Sequence, residues 1–193
     1  APPHQRGLRV VDLPQLAVVD ELLRRPACGV EPRRLGDKEL LAGFKSGVSV
    51  AIGYLPIAIT YGLLAKSIGL SLLEAELMSL MVYAGASQFV ALNLFSLGAD
   101  AFQIIFTTFM VNIRHFLMST SLNQKTKKAP SYLKAIYSFG LTDETFAVSS
   151  TSQGKVSTQF MFGLNIIAYI SWTVNSGVGY ILGGIIPDLL KGS

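Results

Sequence analysis

Several long, mostly apolar stretches of the chain contain no charged side chain. Residues 48–65, 77–97 and 156–187 are such stretches. A helix needs about 20 apolar residues to cross a bilayer, so the first two predict one spanning helix each. The third has 32 residues and predicts one long or interrupted helix. Residues 101–122 and 132–152 are weaker candidates, because ionisable residues interrupt them. The pattern predicts an all-α fold, a polytopic helical membrane protein with about five spans.

Short polar segments between these stretches have the residues that end and begin helices. Gly69 ends one apolar run, and Ser71 and Glu74 then have the spacing of a capping box. Glu74 and Glu76 are therefore interpreted as caps rather than as catalytic residues. Pro130, in "NQKTKKAPSYLK", predicts the start of the next helix.

The distribution of cations indicates that one predicted span is irregular. Cationic residues precede the first stretch and also occupy the central loop around residues 125–134. The positive-inside rule places both groups in the cytoplasm, which requires an even number of crossings between them. Three candidates lie between them, so one is expected to be re-entrant or broken. The suspects are the stretch around Gly85 and the run before Arg114, because irregular backbone at membrane depth must line a cavity or pack on protein.

Four residues of the second stretch are unusual in an apolar helix: Gly85, Ser87, Gln88 and Asn93. A break at Gly85 would leave the amides and side chains of Ser87 and Gln88 for a carboxylate. Asn93, two turns on, would lie on a similar face. The alternative is a small-residue helix contact, with Gln88 bonding across helices.

Two residues of the first stretch are further hinge candidates beside Gly85. Pro56 removes one helical hydrogen bond, and Gly62 follows within two turns. A hinge or pocket edge is one interpretation of this pair, and a static kink is the other.

Ionisable residues inside the weaker candidates suggest a polar cavity. A charge at the centre of a bilayer costs about 2.5–3.5 kcal/mol, so it is usually paired or functional. Arg114 has possible counter-charges in Asp143 and Glu144. We expect one carboxylate to balance Arg114 and the other to bind an ammonium group or a coupling proton. The alternative places these residues at the membrane surface, where Arg114 snorkels and Asp143 caps a helix. His115 is either a proton relay or a structural residue.

Composition supports the membrane class. Half of the 193 residues are apolar and 15% are charged. The net charge of +4 would suit nucleic acid, but the cations lie at the ends of apolar runs without a basic, aromatic-rich face. No nucleic-acid partner is expected. Trp172 and the other aromatic residues are interpreted as lipid-facing or interfacial. There is no phosphate-binding loop, zinc-ligand spacing or nucleophile elbow, so we expect no cofactor, no metal and no enzymatic activity.

Residues 1–36 differ from the rest of the chain in their basic residues. They contain six arginines and no lysine, whereas residues 37–193 contain nine lysines and one arginine. We interpret residues 1–36 as an N-terminal extension of separate origin, either fusion-derived or a divergent cytoplasmic tail. Residues 37–193 form the predicted transmembrane domain.

A weak internal repeat is visible at an offset of 85 residues. Its matched pairs are Tyr61 with Phe146, Gly69 with Gly154, and Gly98 with Gly183. Such a repeat of three spans would be inverted in the membrane, as in transporter folds with broken helices.

Four segments in series resemble the AzlC family, the azaleucine-resistance proteins. They are "GVSVAIGYLPIAITYGLLAKSIGLS", "LMSLMVYAGASQFVALNL", "TTFMVNIRHFLMSTSL" and "FGLTDETFAV". The resemblance extends over residues 41–190 and is carried by the motifs "AGASQF", "NIRH" and "TDETF".

This resemblance implies a multi-pass protein of the inner membrane that exports branched-chain amino acids. It also implies a small hydrophobic partner of the AzlD type. Residues 37–193 would then be a transport domain, truncated at its C-terminus, because the family continues past the position of Lys191 with apolar sequence. The alternatives are a non-transporting membrane scaffold and an intramembrane enzyme that uses the carboxylates.

Overall fold

The computed structural model describes residues 32–126, 129–152 and 155–191, and within these ranges every regular element is a helix. The chain divides into two units, Ala1–Leu35 and Gly36–Ser193, and the second contains the features described below. Nearly all of the predicted N-terminal extension lies outside the described residues. The helices are α1 (Pro32–Ser67), α2 (Leu72–Met81), α3 (Gly85–Ser96), α4 (Ala101–Lys125), α5 (Ser131–Phe139), α6 (Asp143–Thr151) and α7 (Thr158–Lys191).

Two of the predicted spans are broken in their middle. Residues 82–84 separate α2 from α3, and residues 140–142 separate α5 from α6. The break predicted at Gly85 is confirmed. The second break was expected only as an interruption at Asp143 and Glu144, and it lies just before them. The prediction of a break before Arg114 is wrong, because α4 is one continuous helix.

In the part of the chain that the structure describes, two helices are long and apolar enough to cross a membrane, Gly36–Ser67 and Ala101–Lys125. The all-helical class is confirmed for the described residues, and the number of five spans stays a prediction. The stretch 156–187 lies in α7 from residue 158 onwards, and α7 is one long helix without an interruption.

Glycines bring α1 and α7 into close contact near both ends of their interface. A Cβ atom on Gly43 would overlap the carbonyl oxygen of Phe160, and one on Gly62 would overlap that of Ser176. Close approach of backbones through glycine is a common mode of helix packing in membranes. It gives Gly62 a packing role, while its role as a hinge stays a prediction. α1 continues through Pro56, whose carbonyl oxygen accepts a hydrogen bond from the Thr60 hydroxyl at 2.8 Å.

The long helix α7 also packs against both breaks. Trp172 lies against Gly85, where a Cβ atom would be 2.7 Å from Cη2 of the indole. Asn165 lies against Gly140, where a Cβ atom would be 2.7 Å from Nδ2 of the amide. The same Nδ2 donates a hydrogen bond to the carbonyl oxygen of Tyr137 at 2.7 Å. Trp172 is only 3% exposed and belongs to the core. Its interpretation as a lipid-facing residue is therefore wrong.

The elements do not follow the 85-residue offset. Gly98 lies in the loop after α3 with a φ of +69°, whereas its match Gly183 lies inside α7. Tyr61 lies in the long helix α1 and Phe146 in the short helix α6. Gly154 is outside the described residues. The inverted repeat stays a prediction.

Candidate functional site

The two breaks meet at a cavity of about 200 Å³, which we call the site cavity. An apolar cavity of about 150 Å³ can hold a benzene molecule, so this one has room for a small organic molecule. Its lining residues come from α1, α3, α4, α6, α7 and both breaks. They are Tyr54, Ile57, Tyr83, Ala84, Gly85, Ala86, Phe89, Arg114, His115, Thr142, Asp143, Glu144 and Trp172.

The N-terminal end of α3 forms one wall of the cavity. The first amides of a helix have no partner within the helix, and they carry a partial positive charge. At α3 the N-cap residue is Ala84, which makes no side-chain cap hydrogen bond. Gly85 and Ala86 follow it and also line the cavity. This wall therefore presents backbone donors that no side-chain cap serves.

The backbone just before α3 is strained. Tyr83 has a φ of +42°, in the left-handed region that residues with a Cβ atom rarely adopt. Such a conformation costs about 1–3 kcal/mol and is typical of functional sites. The Tyr83 ring is buried and packs edge-on against Tyr169, with centroids 4.7 Å apart. Packing therefore holds the strained turn in place beside the cavity.

The N-terminal end of α6 forms a second wall, which is capped by side chains and carries acidic residues. Thr142 and Thr145 form a capping box, in which the Thr142 amide donates to Thr145 Oγ1 at 2.8 Å. Asp143 and Glu144 occupy the first turn of the helix. The hydroxyl of Tyr54, on α1, donates to Glu144 Oε2 at 2.8 Å, and its oxygen lies 2.5 Å from Thr142 Oγ1. Side chains of the capping box thus accept from the amides of Thr142 and Thr145, and the wall is acidic.

Arg114 of α4 completes the charged part of the site. Its Nη1 lies 2.6 Å from Asp143 Oδ2, and the two side chains are 37% and 48% exposed. The predicted pairing of Arg114 with one of the two carboxylates is thus present in the structure. The Nε atom of Arg114 is buried and has no hydrogen-bond partner among the described residues. One donor of the guanidinium is therefore unpaired among the described residues, on a side chain that lines the site cavity.

Five of the predicted site residues lie on the cavity: Gly85, Arg114, His115, Asp143 and Glu144. His115 also has Nδ1 3.2 Å from the carbonyl oxygen of Asn112. It lines a second, larger cavity of about 640 Å³ between the first broken helix and α4. Tyr83 and Ala84 line both cavities as well.

The other three predicted residues do not line the site cavity, and one of them, Ser87, lines the second cavity. Ser87 is buried and bonds to the carbonyl oxygen of Ala84 and to Oδ1 of Asn112, each at 2.9 Å. Gln88 is buried and its Nε2 donates to Ser79 Oγ at 3.2 Å, across the first break. Asn93 is exposed and lines neither cavity. The structure thus combines both interpretations of this stretch, with a break at Gly85 and Gln88 bonding across helices.

Sequence reasoning missed several residues of the site, notably Tyr54, Tyr83, Thr142 and Trp172. The spacing of Thr142 and Thr145 in "LTDETF" resembles a capping box and could have indicated a helix start. Tyr54 and Trp172 carry no comparable signal, because only the packing of α1 and α7 brings them to the cavity. Tyr83 reaches it through the backbone of the first break. Among the described residues no cluster of His, Cys, Asp and Glu could hold a metal ion.

The sequence is similar to several membrane proteins. One of Archaeoglobus fulgidus, named uncharacterized membrane protein, is 37% identical over 134 residues, which is 69% of this chain and 58% of the relative. The inner membrane protein YgaZ of Escherichia coli is 30% identical over 162 residues, 81% of this chain and 65% of the relative. The branched-chain amino acid transport protein AzlC of Bacillus subtilis is 31% identical over 165 residues, which is 80% of this chain and 63% of the relative.

The chain spans less than two thirds of the length of these relatives. No solved structure matches it. The family model described as AzlC protein matches residues 49–186, which include both breaks and all the lining residues of the site cavity. The resemblance noted from the sequence motifs is confirmed, and the chain belongs to the AzlC family.

Proposed function

We propose that this protein is the transport subunit of a membrane carrier that exports small apolar amino acids of the branched-chain class. One observation carries the proposal: the site cavity has a positive end, a negative end and an apolar wall. A zwitterionic amino acid with an apolar side chain needs all three. The relative named as a branched-chain amino acid transport protein supports the choice of substrate.

The positive end would bind the substrate carboxylate. It consists of the N-terminus of α3, which no side chain caps, and the buried Nε atom of Arg114. Helix N-termini bind anions through backbone amides and the helix dipole. In secondary transporters, half-helices present such ends to anionic substrate groups. The break before Gly85 creates a half-helix of this kind.

The negative end would bind the substrate ammonium group. Asp143 is paired with Arg114, so Glu144 is the carboxylate that remains for a cation. The Tyr54 hydroxyl donates to Glu144 Oε2 and fixes that side chain at the cavity wall. Glu144, Asp143 and His115 are also the candidates for handling a coupling proton at this site.

The apolar wall would bind the substrate side chain. Ile57, Phe89 and Trp172 line the cavity beside the charged residues. In an apolar pocket each methylene is worth about 1–3 kcal/mol, which favours branched aliphatic side chains over smaller ones. Broken helices are typical of carriers that use an ion gradient or exchange, so we place the protein among these.

The carrier would be a multi-pass protein of the inner membrane with a small hydrophobic AzlD-type partner. One observation in its favour is the apolar surface of α4, which lipid or a partner helix would cover. Its exposed residues are Phe102, Ile105, Phe106, Phe109, Met110, Ile113, Phe116 and Leu117.

The test is leucine efflux from vesicles that contain the full-length protein, with and without the partner. We expect Arg114→Gln and Glu144→Gln to abolish efflux at normal membrane insertion, because each removes one charge that the zwitterion needs. Glu74→Gln is the matched control, because Glu74 is an exposed carboxylate of the capping box on α2. It should leave efflux unchanged.

The result also separates the proposal from its alternatives. If the wild-type protein moves no amino acid under any gradient, the carrier is ruled out and a scaffold role is favoured. Chemical alteration of the leucine would indicate an enzyme.

A further inference from the structure

A partly buried carboxyl side chain outside the site cavity has one oxygen that is buried without a partner. The Oε1 atom of Glu76, on α2, has no hydrogen-bond partner among the described residues and almost no contact with solvent. The capping box of α2 uses Ser71 and Glu74, so Glu76 does not cap the helix, and its interpretation as a cap is wrong. A function for this carboxyl group is therefore open.

Glu76 points at α7, where a glycine makes room for it. A Cβ atom on Gly177 would lie 2.7 Å from Glu76 Oε1. Thr173 lies one turn earlier on the same face of α7, and its hydroxyl oxygen is also buried without a partner. Two buried polar atoms without partners, Glu76 Oε1 and Thr173 Oγ1, thus belong to two helices that pack together. Such atoms are rare in proteins and require an explanation, which can be a bound ion or molecule or a functional role.

The titratable neighbours of Glu76 are engaged elsewhere. Tyr61 on α1 donates to the carbonyl oxygen of Ala75 at 3.1 Å, and Tyr180 on α7 donates to that of Leu70 at 2.7 Å. Lys66 on α1 places its ammonium group 4.9 Å from the centre of the Tyr180 ring. Glu74 is exposed, and α3 contains no charged residue. An ionised Glu76 would therefore place negative charge on a buried oxygen that has no hydrogen-bond donor among the described residues, which is costly.

We propose that Glu76 is a proton-binding site, occupied by a proton in this conformation and released when the α2–α7 interface opens to water. Its position connects it to the site cavity. Ser79, one turn further along α2, accepts the hydrogen bond from Gln88 of α3. Movement of α2 on deprotonation would reach α3, whose N-terminus lines the cavity. The role of this proton in driving transport rests on the proposed function, but proton binding itself does not.

Carbodiimide labelling of the full-length protein in membranes tests proton binding without any transport assay. Dicyclohexylcarbodiimide is apolar and modifies protonated carboxyl groups in apolar surroundings. We expect mass spectrometry to find the adduct on Glu76 and none on the exposed Glu74. Labelling should decrease as the pH is raised and disappear in Glu76→Gln. If Glu76 stays unlabelled at every pH, the proposal is overturned. Suppression by sodium at constant pH would also overturn it, in favour of a sodium site.

A transport measurement then tests coupling. In Glu76→Gln we expect the loss of efflux driven by a pH gradient, while leucine exchange between the two sides of the membrane persists. Efflux in this variant that still follows the pH gradient would contradict coupling through Glu76. If the wild type moves no leucine but Glu76 is labelled, the proposed carrier function fails and the proton site stands.

Discussion

The two broken helices share one construction and differ in how the second half-helix begins. At the first break, α3 begins after a strained tyrosine and an alanine that cannot cap it. At the second, α6 begins with a threonine capping box and two acidic residues in its first turn. A helix N-terminus attracts negative charge. α6 carries negative charge in its own first turn, whereas the positive N-terminal end of α3 has no acidic side chain in its first turn and is open to a ligand. In the proposed carrier, this difference would place the substrate carboxylate at the first break and the substrate ammonium group at the second.

The long helix α7 holds both breaks but in different ways. At the first break it offers the flat ring of Trp172 to Gly85. At the second it offers Asn165, which bonds to the carbonyl oxygen of Tyr137 just before the break. α7 also donates a hydrogen bond just before the first break, from Tyr169 Oη to the carbonyl oxygen of Leu80 at 2.8 Å. The strain at Tyr83 still distinguishes the first break, and it makes this break the expected place of conformational change.

The largest effect is expected from exchanging the charges of the Arg114–Asp143 pair, in the double variant Arg114→Asp with Asp143→Arg. If the pair were only structural, the exchange would preserve it and transport would continue. In the proposed carrier it puts an acidic group beside the α3 N-terminus, where the carboxylate binds, so efflux should be abolished. Leucine efflux from vesicles measures this. Efflux near the wild-type rate would refute the proposal that the substrate carboxylate binds at the α3 N-terminus.

A smaller effect is expected from giving α3 the cap that α6 already has, with Ala84→Asp. The new carboxylate would accept from the first amides of α3 and stabilise the helix by about 0.5–2 kcal/mol. It would also occupy the anion site, so leucine binding should weaken at least tenfold, or about 1.4 kcal/mol. Thermal unfolding and leucine binding measure the two changes. Ala84→Ser is the matched variant without a charge, and we expect it to weaken binding less.

The sequence predicted the first break better than the second, for physical reasons. A glycine and several polar residues inside an uncharged run are conspicuous, and the cation distribution required one irregular span. The second break looked like a weak span, because Asp143 and Glu144 lowered its hydropathy and hid the boundary between two half-helices. Arg114 had the opposite effect on α4. It suggested a break, yet a continuous helix carries it easily when one face lines a cavity.

Residues defined by tertiary packing were beyond sequence reasoning. In the sequence, Trp172 and Tyr54 cannot be distinguished from aromatic residues that face lipid. Only the close contact of α1 with α7 makes them part of the site. Glu76 and Glu74 looked alike in "SLLEAE", but the capping-box spacing fits Glu74 alone. Where the side chain of Glu76 goes depends on Gly177, a residue about one hundred positions away.

Removing the cap of α6 with Thr142→Ala tests the second break. The change deletes the acceptor for the Thr145 amide and the contact with Tyr54 Oη. Loss of an N-cap typically costs about 0.5–2 kcal/mol of stability. Because the charges of the site remain, we expect efflux to fall only in proportion to folded protein. Thr151→Ala, at the C-terminal end of α6, is the control. A complete loss of efflux with normal stability would mean that Thr142 itself contacts the substrate.

The smallest effect is expected from Tyr83→Phe, which leaves the strained turn and its packing in place. The Tyr83 hydroxyl is buried and has no hydrogen-bond partner among the described residues. A buried polar group without a partner costs about 1–3 kcal/mol, so its removal should leave stability unchanged or raise it slightly. Efflux should stay close to that of the wild type. A marked loss of leucine binding without a loss of stability would show that this hydroxyl bonds to the substrate. The first break would then bind the substrate through a side chain as well as through its backbone. It would differ less from the second break, where side chains form the binding wall.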